Sequence, residues 1–238
     1  MHYACSDIHG QYDTFLRMLQ LIEFTEEDEM YILGDVIDRG PKPIELLLYI
    51  CEHQNIKLLM GNHEYMMIRA ARHKEMNLWA RNGCRTTLHQ LQNLSETSIK
   101  KILQLIEKLP LLIPNVQVEE KSYYLTHAGM IDQIITEPLY LSEVENEQIF
   151  NIVWDRKLAM GEYPQDILSA QVYEYYENSI VLFGHTISDR CAFGKTDKEG
   201  GPCISRNRNI INLDCGCAKK QKLGCLRLED FKEFYLNV

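Results

Sequence analysis

The sequence predicts an α/β fold in which two β-sheets pack together and are flanked by helices. Three observations carry that reading. Short apolar runs alternate with helical stretches over the first third, the pattern of βαβ units with parallel strands. The last third contributes further short β-rich runs, enough for a second sheet. No internal repeat, low-complexity tract or Pro/Gly/Ser-rich linker interrupts the 238 residues, so one domain over 1–238 is the simplest division.

Taken in order, Tyr3 to Ser6 reads as a strand. Gln11 to Glu23 follows as a helix, with Phe15, Met18, Leu19 and Ile22 at helical spacing. A second strand, Met30 to Leu33, runs into Gly34. Pro41 or Pro43 suits the first turn of the next helix, which buries Ile44, Leu47 and Leu48. Ile56 to Met60 is a continuous apolar run of the kind covered on both faces. Glu64 to Lys108 reads as mostly helical, and Tyr65 to Ile68 reads as helix core. After Pro110, Leu112 to Val118 and Ser122 to Thr126 form a hairpin across Glu119 to Lys121. Ile180 to Phe183, Ile210 to Leu213 and Leu223 to Leu228 are the last strands.

Composition narrows the function classes. Apolar content of 45% and charged content of 25% are ordinary globular values. The net charge of −9 lacks the basic footprint of a nucleic-acid binder. No apolar run reaches the roughly 20 residues of a membrane span. The N-terminus enters a strand directly and leaves no room for a signal peptide, so a cytoplasmic protein is expected. Eight cysteines in that setting are expected to be reduced thiols. The spacing of Cys203, Cys215, Cys217 and Cys225 is a poor match to a zinc ribbon. His2, His53, His73 and His89 fall outside every motif and read as surface or satisfied histidines, and the acidic runs Glu26 to Glu29 and Glu143 to Glu147 as solvated faces.

Five segments place ligand-type side chains just beyond predicted strands, where open α/β sheets put their sites. They are Asp7-Ile8-His9-Gly10, Gly34-Asp35-Val36-Ile37-Asp38-Arg39-Gly40, Gly61-Asn62-His63-Glu64, His127-Ala128-Gly129 and Gly184-His185-Thr186. If the first segment is extended, Asp7 and His9 point to one side, because the side-chain period is two. Carboxylate with imidazole favours Mn, Fe or Zn over Ca or Mg. Asp35 is the natural bridge between two ions, Asn62 offers a neutral carbonyl oxygen, and His127 and His185 complete a second ion. Two divalent ions against two carboxylates leave a net positive site, strengthened by Arg39, on an acidic protein.

These segments resemble the signature of the phosphoprotein phosphatase family of metallophosphoesterases: D-x-H, G-D-x-x-D-R-G, G-N-H-[DE], H-[AG]-G and G-H, all present and in order. The likeness extends to Asn77, Trp79, Asn82 and Gly83, to Leu109-Pro110-Leu111, to Val153-Trp154-Asp155-Arg156, and to the stretch from Asn212 to Gly216. It is strongest toward the small serine/threonine protein phosphatases of bacteria and phages. The resemblance implies the calcineurin-like fold, with α/β/β/α layers, and a pair of divalent ions, manganese above all, with iron or zinc as alternatives. Asp7, His9 and Asp35 would hold one ion and Asp35, Asn62, His127 and His185 the other. Water activated between the ions would attack phosphorus. His63 would be the general acid, oriented and kept protonated by Asp38, while Arg39 and Arg156 would grip phosphate.

The expected substrate is a phosphorylated protein or a small phosphoester, with no nucleic-acid or membrane partner. The competing member of the family is the symmetrical bis(5′-nucleosyl)-tetraphosphatase. Bacterial enzymes of that kind typically carry Ala at the position of Asp38 and Asp at the position of Glu64, so this sequence leans toward protein phosphatase. A non-catalytic scaffold would be expected to have lost ligands, and none is lost.

Overall fold

The computed structural model describes residues 1–238. The first half runs β1 (His2–Cys5), α1 (Tyr12–Leu21), β2 (Glu29–Ile32), α2 (Pro43–Glu52), β3 (Ile56–Leu58), then four helices: α3 (Asn62–His73), α4 (Met76–Arg81), α5 (Arg85–Leu91) and α6 (Glu96–Glu107). The hairpin β4 (Pro110–Val118) and β5 (Lys121–Thr126) follows, then β6 (Leu139–Tyr140), α7 (Asn146–Trp154), α8 (Pro164–Ile167), α9 (Ala170–Tyr176) and β7 (Ser179–Phe183). The chain ends with β8 (Lys195–Thr196), β9 (Pro202–Cys203), β10 (Ser205–Asn207), β11 (Ile210–Asn212), β12 (Lys222–Arg227) and β13 (Glu233–Asn237). Of the two candidate prolines, Pro43 opens α2, where its missing N–H breaks no helical bond.

Two sheets form the centre. One has the order β13-β12-β1-β2-β3, the other β10-β11-β7-β5-β4-β6, and β8 and β9 make a small separate pair. The β1–β2 and β2–β3 pairs are parallel, as are β5–β7 and β7–β11. Strand alternation assigns the layers. Ala4, Leu125, Leu182 and Leu226 belong to a buried cluster of fourteen residues drawn from both sheets, which is the layer between them. Their strand neighbours Tyr3, Cys5, Tyr124, Val181 and Phe183 turn the other way, into the larger cluster that includes Phe15 and Met18 of α1, Ile152 of α7 and Tyr176 of α9. The result is the helix–sheet–sheet–helix order that the sequence predicts.

One expected strand lies elsewhere. Leu223 to Leu228 reads from sequence as part of the second sheet, but β12 pairs antiparallel with β1 in the first. The physical reason is coverage. β1 would otherwise be an edge, and β12 with β13 closes it while supplying Leu226 to the inter-sheet layer. Tyr65 to Ile68 lies in α3, with Met66, Met67 and Ile68 buried in the core and Tyr65 packed edge-on against Trp154.

Candidate active site

The five motif segments converge at the C-terminal ends of β1, β2, β3, β5 and β7, which lie in both sheets. Backbone bonds lace the first two together: Asp7 N–H donates to the Gly34 carbonyl, His9 N–H to Asp35 and Gly10 N–H to Val36. The local backbone is not extended. Asp7, His9, Asp35, Asp38, Arg39 and His185 all have φ between +47° and +69°, the left-handed region that non-glycine residues seldom occupy. The period-two argument for Asp7 and His9 therefore fails: turns, not strand pleat, aim these side chains.

Asp35 sits at the centre, 2% exposed. Its Oδ2 lies 3.4 Å from His9 Nε2, and its Oδ1 lies 3.6 Å from His127 Nε2. Asn62 Oδ1 is 3.0 Å from both His127 Nε2 and His185 Nδ1. Ligand atoms within 4.8 Å of one another form two overlapping groups, His9–Asp35–His63 and Asp35–His127–His185. Asp7 falls in neither. Its Oδ2 accepts from the Ser6 hydroxyl at 2.5 Å and from His185 N–H at 2.9 Å. Gly184 permits this approach, because a Cβ there would overlap both Ser6 and Asp7.

The donor set fits metal ions on the chemistry of its own contacts. His9 and His127 each direct Nδ1 to a backbone carbonyl, of Ile37 at 2.8 Å and of Leu33 at 2.6 Å. Donation there places the lone pair on Nε2, facing Asp35, as metal-binding imidazoles are arranged. Four buried carboxylates, Asp7, Asp35, Glu64 and Asp214, crowd the same region. Burial, then the Asp7 and Glu64 charges, pushes Asp35 well above its usual range, and burial followed by Asp7 does the same to Asp214. Divalent cations at this point would relieve both effects.

His63 is fully buried in the first turn of α3. Its Nδ1 is 2.6 Å from Asp38 Oδ2, and its Nε2 accepts from Arg39 Nη2 at 2.8 Å. Arg39 Nη1 also stands 3.2 Å from His9 Nε2. Burial, then the Arg39 guanidinium, holds the His63 imidazole well below its usual range, so the expectation that Asp38 keeps it protonated is opposed within the site. Asp38 itself is pushed up to about 6 by burial, against the hydroxyl and indole bonds that lower it. Arg156 is exposed and its Nη1 donates to the Thr186 hydroxyl at 2.9 Å, beside the cluster but without a carboxylate partner.

Several residues that sequence reasoning gave no role complete the construction. The Trp79 indole donates to Asp38 Oδ2 at 2.7 Å, and the Thr87 hydroxyl donates to Oδ1 at 2.5 Å while accepting Asp38 N–H at 3.0 Å. Glu64 is wholly buried and accepts four backbone N–H groups: Asp35 at 2.8 Å, Val36 at 2.9 Å, Ile37 at 3.2 Å and Gly61 at 2.9 Å. Gly61 must be glycine, because a Cβ would collide with Asp35. The Gly61 bond is the one that sequence spacing allows in advance, a glutamate at the third helical position reaching back to the N-cap N–H, although glycine has no side chain to complete a capping box. The other three have no sequence signature.

The eight cysteines are free thiols and form no part of this cluster.

A histidine–aspartate cluster able to hold metal ions, at the strand ends of a two-sheet α/β sandwich, is the arrangement of a metallophosphoesterase. Comparison agrees: the family model described as calcineurin-like phosphoesterase matches residues 3–189. The chain belongs to that family. It is 30% identical over 133 residues to the symmetrical bis(5′-nucleosyl)-tetraphosphatase of Salmonella paratyphi C, a stretch covering 55% of this chain and 44% of that protein. The same figures hold for the Salmonella typhimurium counterpart. The matched stretch thus spans less than half the length of these relatives.

Among solved structures, a candidate diadenosine tetraphosphatase aligns with a TM-score of 0.62 at 16% identity, covering 99% of this chain and 92% of that one. A serine/threonine phosphatase from Saccharomyces cerevisiae aligns at 0.56 and 15%, covering 99% and 78%. At these identities the likeness concerns the fold. No helix is long and apolar enough to cross a membrane.

Proposed function

We propose that this metallophosphoesterase acts as a serine/threonine protein phosphatase, with His63 delivering the proton that the departing alkoxide needs. The observation that carries the reading is the 2.6 Å contact between buried His63 Nδ1 and Asp38 Oδ2. It fixes the ring so that Nε2 faces the cluster; Nε2 accepts from Arg39 in this structure and takes up a proton from solvent, once Arg39 turns to substrate, before passing it to the alkoxide. A serine or threonine alkoxide is a poor leaving group and depends on such a donor.

Asp7, His9 and Asp35 would hold one divalent ion, and Asp35, Asn62, His127 and His185 a second, with manganese the expected metal. When bound, the ions would polarise the phosphoryl group and acidify the attacking water. The chain's own groups do the rest. Arg39, with Nη2 on His63 Nε2 and no carboxylate partner, turns to a phosphoryl oxygen when substrate enters and so frees Nε2. Arg156, steadied by Thr186, grips a second oxygen. Trp79 and Thr87 hold the Asp38 carboxylate against His63.

A second reading, a symmetrical bis(5′-nucleosyl)-tetraphosphatase, is supported by the curated relatives of that name. A nucleotide leaves as a stabilised anion and relies less on His63. The deciding measurement is kcat/KM for a phosphoserine peptide and for diadenosine tetraphosphate under the same manganese concentration. A preference above about tenfold for the dinucleotide, roughly 1.4 kcal/mol in the transition state, selects the second reading.

A further inference from the structure

A cleft of about 540 Å³ opens beside the cluster, lined by Gln11, Arg39, Thr86 and Lys220 among others. Its volume lies in the range of small-molecule pockets and exceeds what one phosphoryl group needs. It begins one side chain away from the chemistry, because Arg39 lines it and also contacts both His9 and His63.

The lining suits an anion. Arg39 and Lys220 bring two cations and no Asp or Glu side chain lines the cleft, although Val238, with the C-terminal carboxylate, does. Neither cation is paired with a carboxylate, whereas nearby Lys42 is held by Asp13. Gln11 caps α1 without using its side chain, so the amide remains available. The Thr86 hydroxyl is buried with no hydrogen-bond partner. An unmet buried hydroxyl is costly, and a ligand oxygen would satisfy it. On a chain of net charge −9, the unpaired Lys220, an amide and an orphaned hydroxyl around one cleft, with Arg39 on the wall toward the reacting phosphoryl group, amount to a local anion receptor.

We propose that this cleft is a subsite for a second anionic group of the substrate, carried on the leaving-group side of the scissile phosphoester. The inference rests on the phosphoesterase reading of the adjacent cluster. The anion is either a further phosphoryl group of a polyphosphate chain or the carboxylate of an acidic residue beside a phosphoresidue. Both present oxygens to the same donors.

Lys220 is exposed and outside the catalytic cluster, so Lys220→Glu tests the subsite with little risk to folding. Four substrates are compared at fixed free Mn²⁺: nitrophenyl phosphate, a phosphoserine peptide flanked by alanines, the same peptide flanked by glutamates, and diadenosine tetraphosphate. The variant is expected to lower kcat/KM at least tenfold, mainly through KM, for the dinucleotide, the glutamate-flanked peptide or both. The other two substrates should stay within twofold. Loss confined to the dinucleotide identifies a phosphoryl group, and loss confined to the acidic peptide identifies a carboxylate. Thr86→Val should reproduce the same selectivity more weakly. Equal loss on all four substrates, or no loss on any, overturns the subsite. Should the wild-type protein hydrolyse none of them, the phosphoesterase reading falls on its own. Equilibrium binding of diadenosine tetraphosphate to wild type and Lys220→Glu then decides the cleft: weaker binding by the variant supports it, and equal binding overturns it.

Discussion

Replacing Glu64 tests how the metal loop is held, because its carboxylate is the only side chain that bonds four backbone N–H groups of the site. The pairs divide cleanly: Oε2 takes Asp35 and Gly61, and Oε1 takes Val36 and Ile37. Glu64→Gln keeps one oxygen and turns the other into an NH₂, which faces two N–H donors it cannot accept from. Two charge-assisted bonds are lost, at about 1.5–3 kcal/mol each, so the expected destabilisation is roughly 3–6 kcal/mol. That is a large share of the roughly 5–15 kcal/mol that holds a typical domain folded.

Because Asp35 N–H is one of the four, the loop should loosen before the whole chain unfolds. Urea unfolding should show the lower stability, and equilibrium metal binding should show weakened affinity under conditions where the variant is still folded. Glu64→Asp keeps both acceptors on a shorter stem and should recover part of each loss. A Glu64→Gln protein within 1 kcal/mol of wild type, with unchanged metal affinity, would refute the claim that this carboxylate organises the loop.

Chelation should abolish hydrolysis of nitrophenyl phosphate and Mn²⁺ should restore it, and Asp35→Asn should cut metal content more than any other single ligand change, since Asp35 faces both histidine groups; metal analysis by mass spectrometry checks both. His63→Asn should retain metal but lower turnover by roughly 10²–10⁴-fold on phosphoserine, with a smaller loss on nitrophenyl phosphate, whose leaving group needs no proton. Trp79→Phe removes one donor from Asp38 Oδ2 and should show the same leaving-group trend in weaker form, read from the ratio of kcat on the two substrates.

The cluster was legible in sequence because its ligand types are chemically distinctive and each sits beside glycine after an apolar run. His9, His127 and His185 gather around Asp35, with Asn62 against His127 and His185, whereas Asp7 turns toward Ser6 and His185. What escaped sequence reading is long-range or conformational. Trp79 and Thr87 lie 41 and 49 residues from Asp38 and reach it from α4 and α5, helices whose periodicity reports only which face is buried. The left-handed turns at Asp7 and His9 violate local preference, so a strand-based argument for their direction could not succeed. β12 reads as a strand from its own residues, but its place beside β1 depends on which edge most needs cover.

The left-handed backbone carries the last prediction. Six of the thirteen non-glycine residues with positive φ belong to the candidate site, and for ordinary residues that conformation costs roughly 1–2 kcal/mol each. The strain would be relieved if glycine stood there, yet the chemistry needs the side chains, so stability and function oppose each other at these positions. Arg39 separates the two, since it is exposed and has φ +63°. Arg39→Ala and Arg39→Gly both delete the guanidinium and should reduce activity on nitrophenyl phosphate alike. At an ordinary position glycine is the less stable of the two by about 0.4–1 kcal/mol, through the entropy of the unfolded chain. Here the order should invert, with glycine ahead by about 1 kcal/mol, a Tm higher by about 2–4 °C for a chain of this size. Differential scanning calorimetry of the two variants at matched metal load measures it. An alanine variant as stable as the glycine one, or more so, would mean that the turn at Arg39 stores no strain, and that the site's geometry is held at no cost to the fold.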